Sequence, residues 1–376
     1  MRKLVTMRTV SKIEPIPNAD NIELAHVDGW KCIVKKGEFQ VGQKGIYFEV
    51  DSFLPIKPEY EFLRKSSYRN TKNLGEGFRI RTMKMRGVVS QGLLIPTDKP
   101  FTEEDLTEKF EVKKFEPYVS EFVPKPQKPK SWWERIKSWF IRQVSFDTKF
   151  PSFIPKTDEE RIQNVNLMDY SGKDFVVTRK LHGESTTVYS LGGQVHVCSR
   201  NLRKNPKHSS RWYDTAKEIG LIDALKKYPG NIALQGELMG PGIFDNELNL
   251  TKKNIYVFNA WDIDKREALP LSTTFSEFER TQVVPSTTSG IVTYLNSQGC
   301  NVEHVPFISY MYKMPVFSSK EEADAHREVL LGWANQTDYE GFVFRGLDGS
   351  KGFKVISNKW LLKNEDKDFG EAQDRS

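Results

Sequence analysis

The chain has 376 residues, of which 38% are hydrophobic and 28% charged, ordinary values for a globular protein with room for two domains. No apolar run approaches the ~18 residues of a membrane-spanning helix. The opening MRKLVTMRTVSKIEPIP lacks a signal-peptide core, and Cys32, Cys198 and Cys300 are far apart with no CxxC pair. Those features argue against a zinc site and a disulfide framework, and an intracellular, cytoplasmic location is expected. The net charge of +6 suits a polyanionic partner such as nucleic acid.

Residues 1–120 read as short strands. KCIVKKG, KGIYFEV, FRIRTMKM and GLLIP are β-rich runs broken by Gly, Pro, Asn and Asp, the pattern of a small barrel or sandwich. Residues 121–149 change character. PKPQKPK reads as an exposed linker, and Trp132, Trp133, Ile136, Trp139 and Phe140 then recur at helical spacing among Lys130, Arg135, Lys137 and Arg142. That helix either packs on the protein or touches a membrane surface or nucleic acid.

From 150 to 376 helix and strand mix. TDEERIQNV has a capping-box start, with Thr157 as N-cap and Glu160 three residues on. KDFVVTRK, STTVYS, QVHVCSRN, NIALQGELMG and NIYVFNAWDID read as strands. SRWYDTAKEIGLIDALKKY and SSKEEADAHREVLLGWANQ read as helices, and YEGFVFR with KGFKVIS as a closing hairpin.

VVTRKLHGESTTVY holds the pattern Lys-x-His-Gly between two strands. K-x-x-G alone carries little: it begins at Lys72, Lys84, Lys180, Lys217, Lys227 and Lys367. Only at Lys180 is the third residue of the Asp, Asn or His type, with a clear strand leading in and another leading out. A lysine amine can attack a nucleotide α-phosphate when neutral, although its ordinary pKa is about 10.4. Downstream follow Arg200 in CSRN, Glu237 in QGELMGPGI, Trp261 in AWDI, Glu340 in YEGFVFR and Lys354 in FKVIS. Each alone has a dull explanation, except that an ammonium inside the apolar FKVI is costly to bury unpaired.

In this order the motifs resemble the covalent nucleotidyltransferase superfamily, and its ATP-dependent RNA ligases in particular. With IEPIPNADNIELAHVDGW, GIYFEVDSFLP and RIRTMKMRGVVSQGLLIP in front, the chain resembles RNA ligase family five, whose members seal nicks. The resemblance covers most of the chain, apart from the Trp-rich linker and the charged tail. It implies an α+β fold: an N-terminal OB-like β-barrel that binds RNA, then a ligase-type nucleotidyltransferase domain with antiparallel sheets and flanking helices.

The same resemblance implies ATP and Mg²⁺ or Mn²⁺ as cofactors, RNA ends in a nicked duplex as partner, no membrane, and a monomer. Lys180 would be the nucleophile and Lys354 would neutralise the α-phosphate. Arg200, His182 and Gly183 would line the nucleotide, with Arg200 on its sugar or on an RNA phosphate. Trp261 would stack on adenine, while Glu237 and Glu340 hold the ion or its waters.

Two positions depart from the family pattern. His182 stands where Asp is common, and Ile356 where a second motif lysine is common, leaving Lys359 or Lys363 to assist Lys354. Arg79, Arg81, Lys84 and Arg86 are candidate RNA contacts in one strand region. DNA ligases and capping guanylyltransferases share the lysine chemistry, but normally carry the OB domain behind the transferase core. A non-catalytic RNA-binding OB protein would not need the ordered lysines and carboxylates.

Overall fold

The computed structural model describes residues 2–115, 147–271, 287–347 and 351–364. The Trp-rich helix expected within 121–149 lies outside them.

Alternating buried and exposed residues build the first domain from small antiparallel sheets. One runs in the order Leu93–Pro96, Lys44–Phe48, Val5–Pro15, Ile22–Val27, Trp30–Lys35. The register of Val5–Pro15 shifts between Val10 and Lys12. Its first half therefore pairs with Lys44–Phe48 and its second with Ile22–Val27, the bend expected of a bulged strand closing a barrel. A second sheet runs Lys113–Lys114, Ser52–Leu54, Gly75–Arg79, Tyr68–Thr71. The core holds Val5, Phe48, Leu54 and Phe78 in one cluster and Val10, Trp30 and Tyr47 in another.

FRIRTMKM is not one strand. Gly75–Arg79 ends in the second sheet, and Thr82–Met85 forms a separate hairpin with Val88–Gln91. Between them the Ile80 backbone bonds Asp51 and Ser52, which anchors the turn to the second sheet.

The second domain is built on two sheets. The first runs Glu160–Arg161, Phe353–Ile356, Gly341–Gly346, Asp174–Lys180, Phe307–Lys313. The other is centred on Gln194–Ser199, Glu184–Leu191, Ile232–Met239 and Asn254–Asp262. Helix Lys320–Asn335 packs Leu330, Leu331 and Ala334 onto Phe342 and Phe344 of the first sheet. The single helix read in SRWYDTAKEIGLIDALKKY is two, Arg211–Glu218 and Leu221–Lys227, broken at Gly220 (φ 77°). Together with Thr288–Ser297 they cover the second sheet.

The capping box in TDEERIQNV does not start an α-helix. Glu160–Arg161 pairs parallel to Phe353–Ile356, and only a 3-10 turn, Ile162–Asn164, follows. Tertiary contacts override the local preference: Ile162 and Gln163 are buried, and Gln163 lies against Gly29 of the first domain. Asn164 then ties the domains together. Its Oδ1 accepts from Trp30 Nε1 at 2.8 Å, and its Nδ2 donates to Glu49 Oε2 at 3.0 Å. Further contacts are Arg161 to Asp51 at 3.4 Å and Gln91 to Asn358 at 2.9 Å.

Candidate active site

Lys180 is the last residue of Asp174–Lys180, and the ladder sets it opposite Gly341. That register brings Glu340 beside it, so Lys180 Nζ donates to Glu340 Oε2 at 2.6 Å. After Leu181, His182 and Gly183 the chain enters the other sheet at Glu184, where Ser185 pairs with Glu237. One short crossing thus brings carboxylates from both sheets to a single lysine.

Two glycines make the crossing sterically possible. A Cβ on Gly183 would stand 2.4 Å from Met239 Sδ and 2.6 Å from the Leu238 carbonyl. Packing against Ile232–Met239 therefore demands glycine there, whatever approach to a nucleotide also needs. Gly341 has φ 147°, and a Cβ would lie 2.0 Å from the Val355 carbonyl. The Glu-Gly pair is what lets Glu340 reach the lysine.

Burial alone would depress the Lys180 pKa, but the carboxylates of Glu340 and Glu237 outweigh it and hold the ammonium above its ordinary value. Burial lifts the Glu237 carboxyl to about 7 despite the nearby Lys180, and its Oε2 has no hydrogen-bond partner. Lys354 donates to Asp158 Oδ1 at 2.7 Å. Its pKa is lowered, first by burial and then by the positive charges of Lys180 and Arg161, against the pull of Asp158. Glu159 pairs with Arg345 at 2.8 Å. Burial would raise the Glu159 carboxyl, but Arg345 and backbone hydrogen bonding hold it below its ordinary value.

These residues line a cleft of about 600 Å³. It holds Lys180, His182, Gly183, Arg200, Glu237, Glu340 and Lys354 together. Arg200 is its outer member, 40% exposed and 4.0 Å from Asp158. The far wall comes from the first domain, with Arg2, Asp51, Arg79, Lys114 and Phe115.

Trp261, expected to stack on adenine, is not on the cleft. It packs against a cluster containing Ile154, Tyr189 and Ala233. The aromatic residue on the cleft from that strand is Phe258, with the Arg345 guanidinium 5.4 Å from its ring centroid. On the ladder Trp261 pairs with Ala233, four residues before Glu237, whereas Phe258 is the extra residue between those paired with Gln235 and Gly236 and so lies nearer Glu237 along the strand. Bulges are common beside active sites; nothing in NIYVFNAWDID announces one.

The basic strand is also divided. Arg79 is buried on the cleft, 3.9 Å from Asp51 and 4.3 Å over the Phe115 ring. Lys84 and Arg86 lie exposed on the separate hairpin, Arg81 lies between the strands, and none of these three is on the cleft.

His182 sits 4.0 Å from Glu340, yet its ring is packed on aromatic neighbours. Phe244 is 4.1 Å away and Trp360 4.7 Å, centroid to centroid. The sequence pointed to neither, nor to Asp158, Glu159 or Arg161, whose place here depends on pairing with distant strands. Arg345 closes YEGFVFR and could have been drawn from that motif.

Among the described residues no group of three or more metal-ligating side chains converges. Glu237 and Glu340 are two carboxylates, one with a buried oxygen lacking a partner. Mg²⁺ is typically bound by one or two carboxylates with phosphates and water completing its shell. The donor set therefore fits a divalent ion shared with a phosphate ligand.

Residues 173–361 match the family model described as RNA ligase, and residues 4–97 match one described as an OB-fold domain. The chain belongs to the RNA ligases. Solved structures agree over nearly the whole molecule. Naegleria gruberi RNA ligase with PPi is 33% identical, with a TM-score of 0.78 over 97% of this chain and 100% of that one. A glutamate-to-alanine variant of it with AMP and Mn gives 33% and 0.77 over 97% and 100%. A lysine-to-alanine variant with ATP and Mn gives 33% and 0.76, again over 97% and 100%. No curated protein matches the chain. In this RNA ligase the OB-fold domain precedes the transferase domain, which separates it from DNA ligases and capping enzymes with the opposite order.

Proposed function

We propose that this RNA ligase uses ATP to join RNA 3′-OH and 5′-phosphate ends through lysyl-AMP and RNA-adenylate intermediates. The observation that carries the reading is Lys180 hydrogen-bonded to Glu340 at 2.6 Å, in one cleft with Glu237 and Lys354. The Naegleria structures, solved with ATP, AMP, PPi and Mn, support it.

Neutral Lys180 Nζ attacks the ATP α-phosphorus. A P–N bond forms, the α–β bridging P–O bond breaks, and pyrophosphate leaves. An RNA 5′-phosphate oxygen then attacks the same phosphorus and returns the lysine as leaving group. Finally a 3′-OH attacks the RNA phosphate and AMP departs. Lys354 neutralises charge developing on the α-phosphate, and Phe258 rather than Trp261 offers a ring to adenine. Arg79, Lys114 and Arg2 on the far wall suit the outgoing pyrophosphate, while Arg200 meets the sugar or an RNA phosphate. Glu237 and Glu340 would hold Mg²⁺ or Mn²⁺, which supplies charge neutralisation at the phosphates.

The protein's own carboxylates keep Lys180 protonated before reaction. Once Glu340 and Glu237 are engaged elsewhere, only the weaker pull of Glu159 opposes burial and the nearby Lys354, which lower its pKa toward the reactive amine.

The substrate we assign is a nicked duplex, bound by a monomer in the cytoplasm. No described helix is long and apolar enough to cross a membrane. The OB-fold domain reads backbone shape more than bases, with Arg81, Lys84 and Arg86 outside the cleft as RNA contacts.

The test incubates wild type and Lys180→Ala with labelled ATP and a nicked duplex whose 3′-OH end is a ribonucleotide. Wild type gives an acid-labile, alkali-stable adduct, as a lysine phosphoramidate requires, and a sealed strand; Lys180→Ala gives neither. Adduct on the variant would remove Lys180 as nucleophile, and exclusive labelling by GTP would overturn the ligase reading.

A further inference from the structure

Phe244 follows the turn Gly240–Pro241–Gly242–Ile243, closed by Ile243 N donating to the Gly240 carbonyl at 3.0 Å. Among the described residues it is the one aromatic residue on a left-handed backbone, with φ 41°. A bulky side chain rarely adopts that conformation, and such strain persists where the surroundings impose it, commonly at functional sites. Here the buried Ile243 anchors one side, and Asn246 accepts from and donates to Leu250 on the other. The strained backbone turns the Phe244 ring onto His182 at 4.1 Å, with Trp360 on His182 at 4.7 Å. All three rings line the cleft that holds Lys180.

The lysine chemistry leaves this wall without a task. Phe258 already offers a ring for adenine from another strand, and the phosphate charges are met by Lys354 and the basic far wall. An RNA end must come to the same lysine to take its AMP. Aromatic faces stack terminal and unpaired bases whatever their sequence.

We propose that Phe244, braced by His182 and Trp360, stacks on the terminal base of an RNA end entering the site. The proposal rests on the ligase reading above and adds a subsite for the second substrate.

The test separates the steps. Wild type, Phe244→Gly and Phe244→Tyr are assayed for lysyl-AMP formation with ATP, and for sealing of a pre-adenylated nicked RNA. Glycine accepts the left-handed backbone, so folding is preserved while the ring is removed. Phe244→Gly is expected to form lysyl-AMP within about twofold of wild type. It should seal the pre-adenylated nick about tenfold less efficiently, as an increase in KM, in line with one lost base stack. Phe244→Tyr restores sealing.

Abasic substitution of the 3′-terminal or the 5′-terminal nucleotide identifies the end. On the correct abasic substrate Phe244→Gly costs nothing further. Equal loss in adenylylation and sealing would make Phe244 a mere prop for His182 and overturn the proposal. So would an unchanged sealing rate, or an equal penalty on both abasic substrates. A wild-type protein that forms no lysyl-AMP fails earlier, and sinks the ligase reading itself.

Discussion

Replacing Glu340 by Gln keeps the shape of the side chain and removes its charge. At 2.6 Å and an effective dielectric of about 20, the Coulomb attraction lost is about 6 kcal/mol before any relaxation. Glu237 and, more weakly, Glu159 also hold the ammonium, but the Glu237 pKa of about 7 leaves it partly protonated at neutral pH. Burial of the Lys180 ammonium is then opposed much less than in wild type. A carboxylate raises the pKa of a neighbouring amine, so its removal lowers it, and Lys180 in Glu340→Gln should become a free amine at lower pH than in wild type. The assay is acetylation of Lys180 by an amine-reactive ester as a function of pH, followed by peptide mass spectrometry. The midpoint should move down. A midpoint that stays or moves up would refute the claim that this ion pair keeps the nucleophile protonated. Adenylylation by ATP should still fall, because Glu340 is also one of the two carboxylates proposed to hold the cation.

Glu237 gives a stability prediction. Its carboxyl is raised from 4.5 to about 7, so the folded state binds its proton more tightly, and stability falls as pH rises between those values. Above pH 7 the cost is about 3 kcal/mol at most. Glu237→Gln should therefore unfold at higher denaturant than wild type at pH 8, by roughly 2 kcal/mol since the amide is still buried, with the gap closing toward pH 5. Phe258→Ala should raise the KM for ATP about tenfold with little loss of stability. Trp261→Ala should do the reverse, destabilising the fold by about 3 kcal/mol with the ATP KM unchanged; both are read from adenylylation kinetics and chemical denaturation. Gly341→Ala places a Cβ 2.0 Å from the Val355 carbonyl at φ 147°, and should cost about 3 kcal/mol or more in denaturant unfolding.

The linear chain was informative wherever the signal is local. Apolar runs on either side of Lys-Leu-His-Gly mark a strand, a turn and a strand, and Asp174–Lys180 and Glu184–Leu191 are those strands. Lys354 stood out because an ammonium within FKVI needs a partner, and Asp158 is that partner. What needed the tertiary structure is whatever depends on register or on the other domain. Trp261 is the ring expected on adenine from NIYVFNAWDID, but it pairs with Ala233, four residues before Glu237, and Phe258, nearer Glu237 along the strand, is the ring on the cleft. A capping box lost to a parallel strand pairing because Ile162 and Gln163 are buried. Arg79, a candidate RNA contact in a basic strand region, is buried by the fold against Asp51 and Phe115 as part of the cleft wall. His182, expected to line the nucleotide, is on the cleft, and only the fold shows its ring packed on Phe244 and Trp360 from distant parts of the chain. Residue type and short-range period set which strands form and which charges need partners; contacts between residues far apart in the chain decide which side chains share the site.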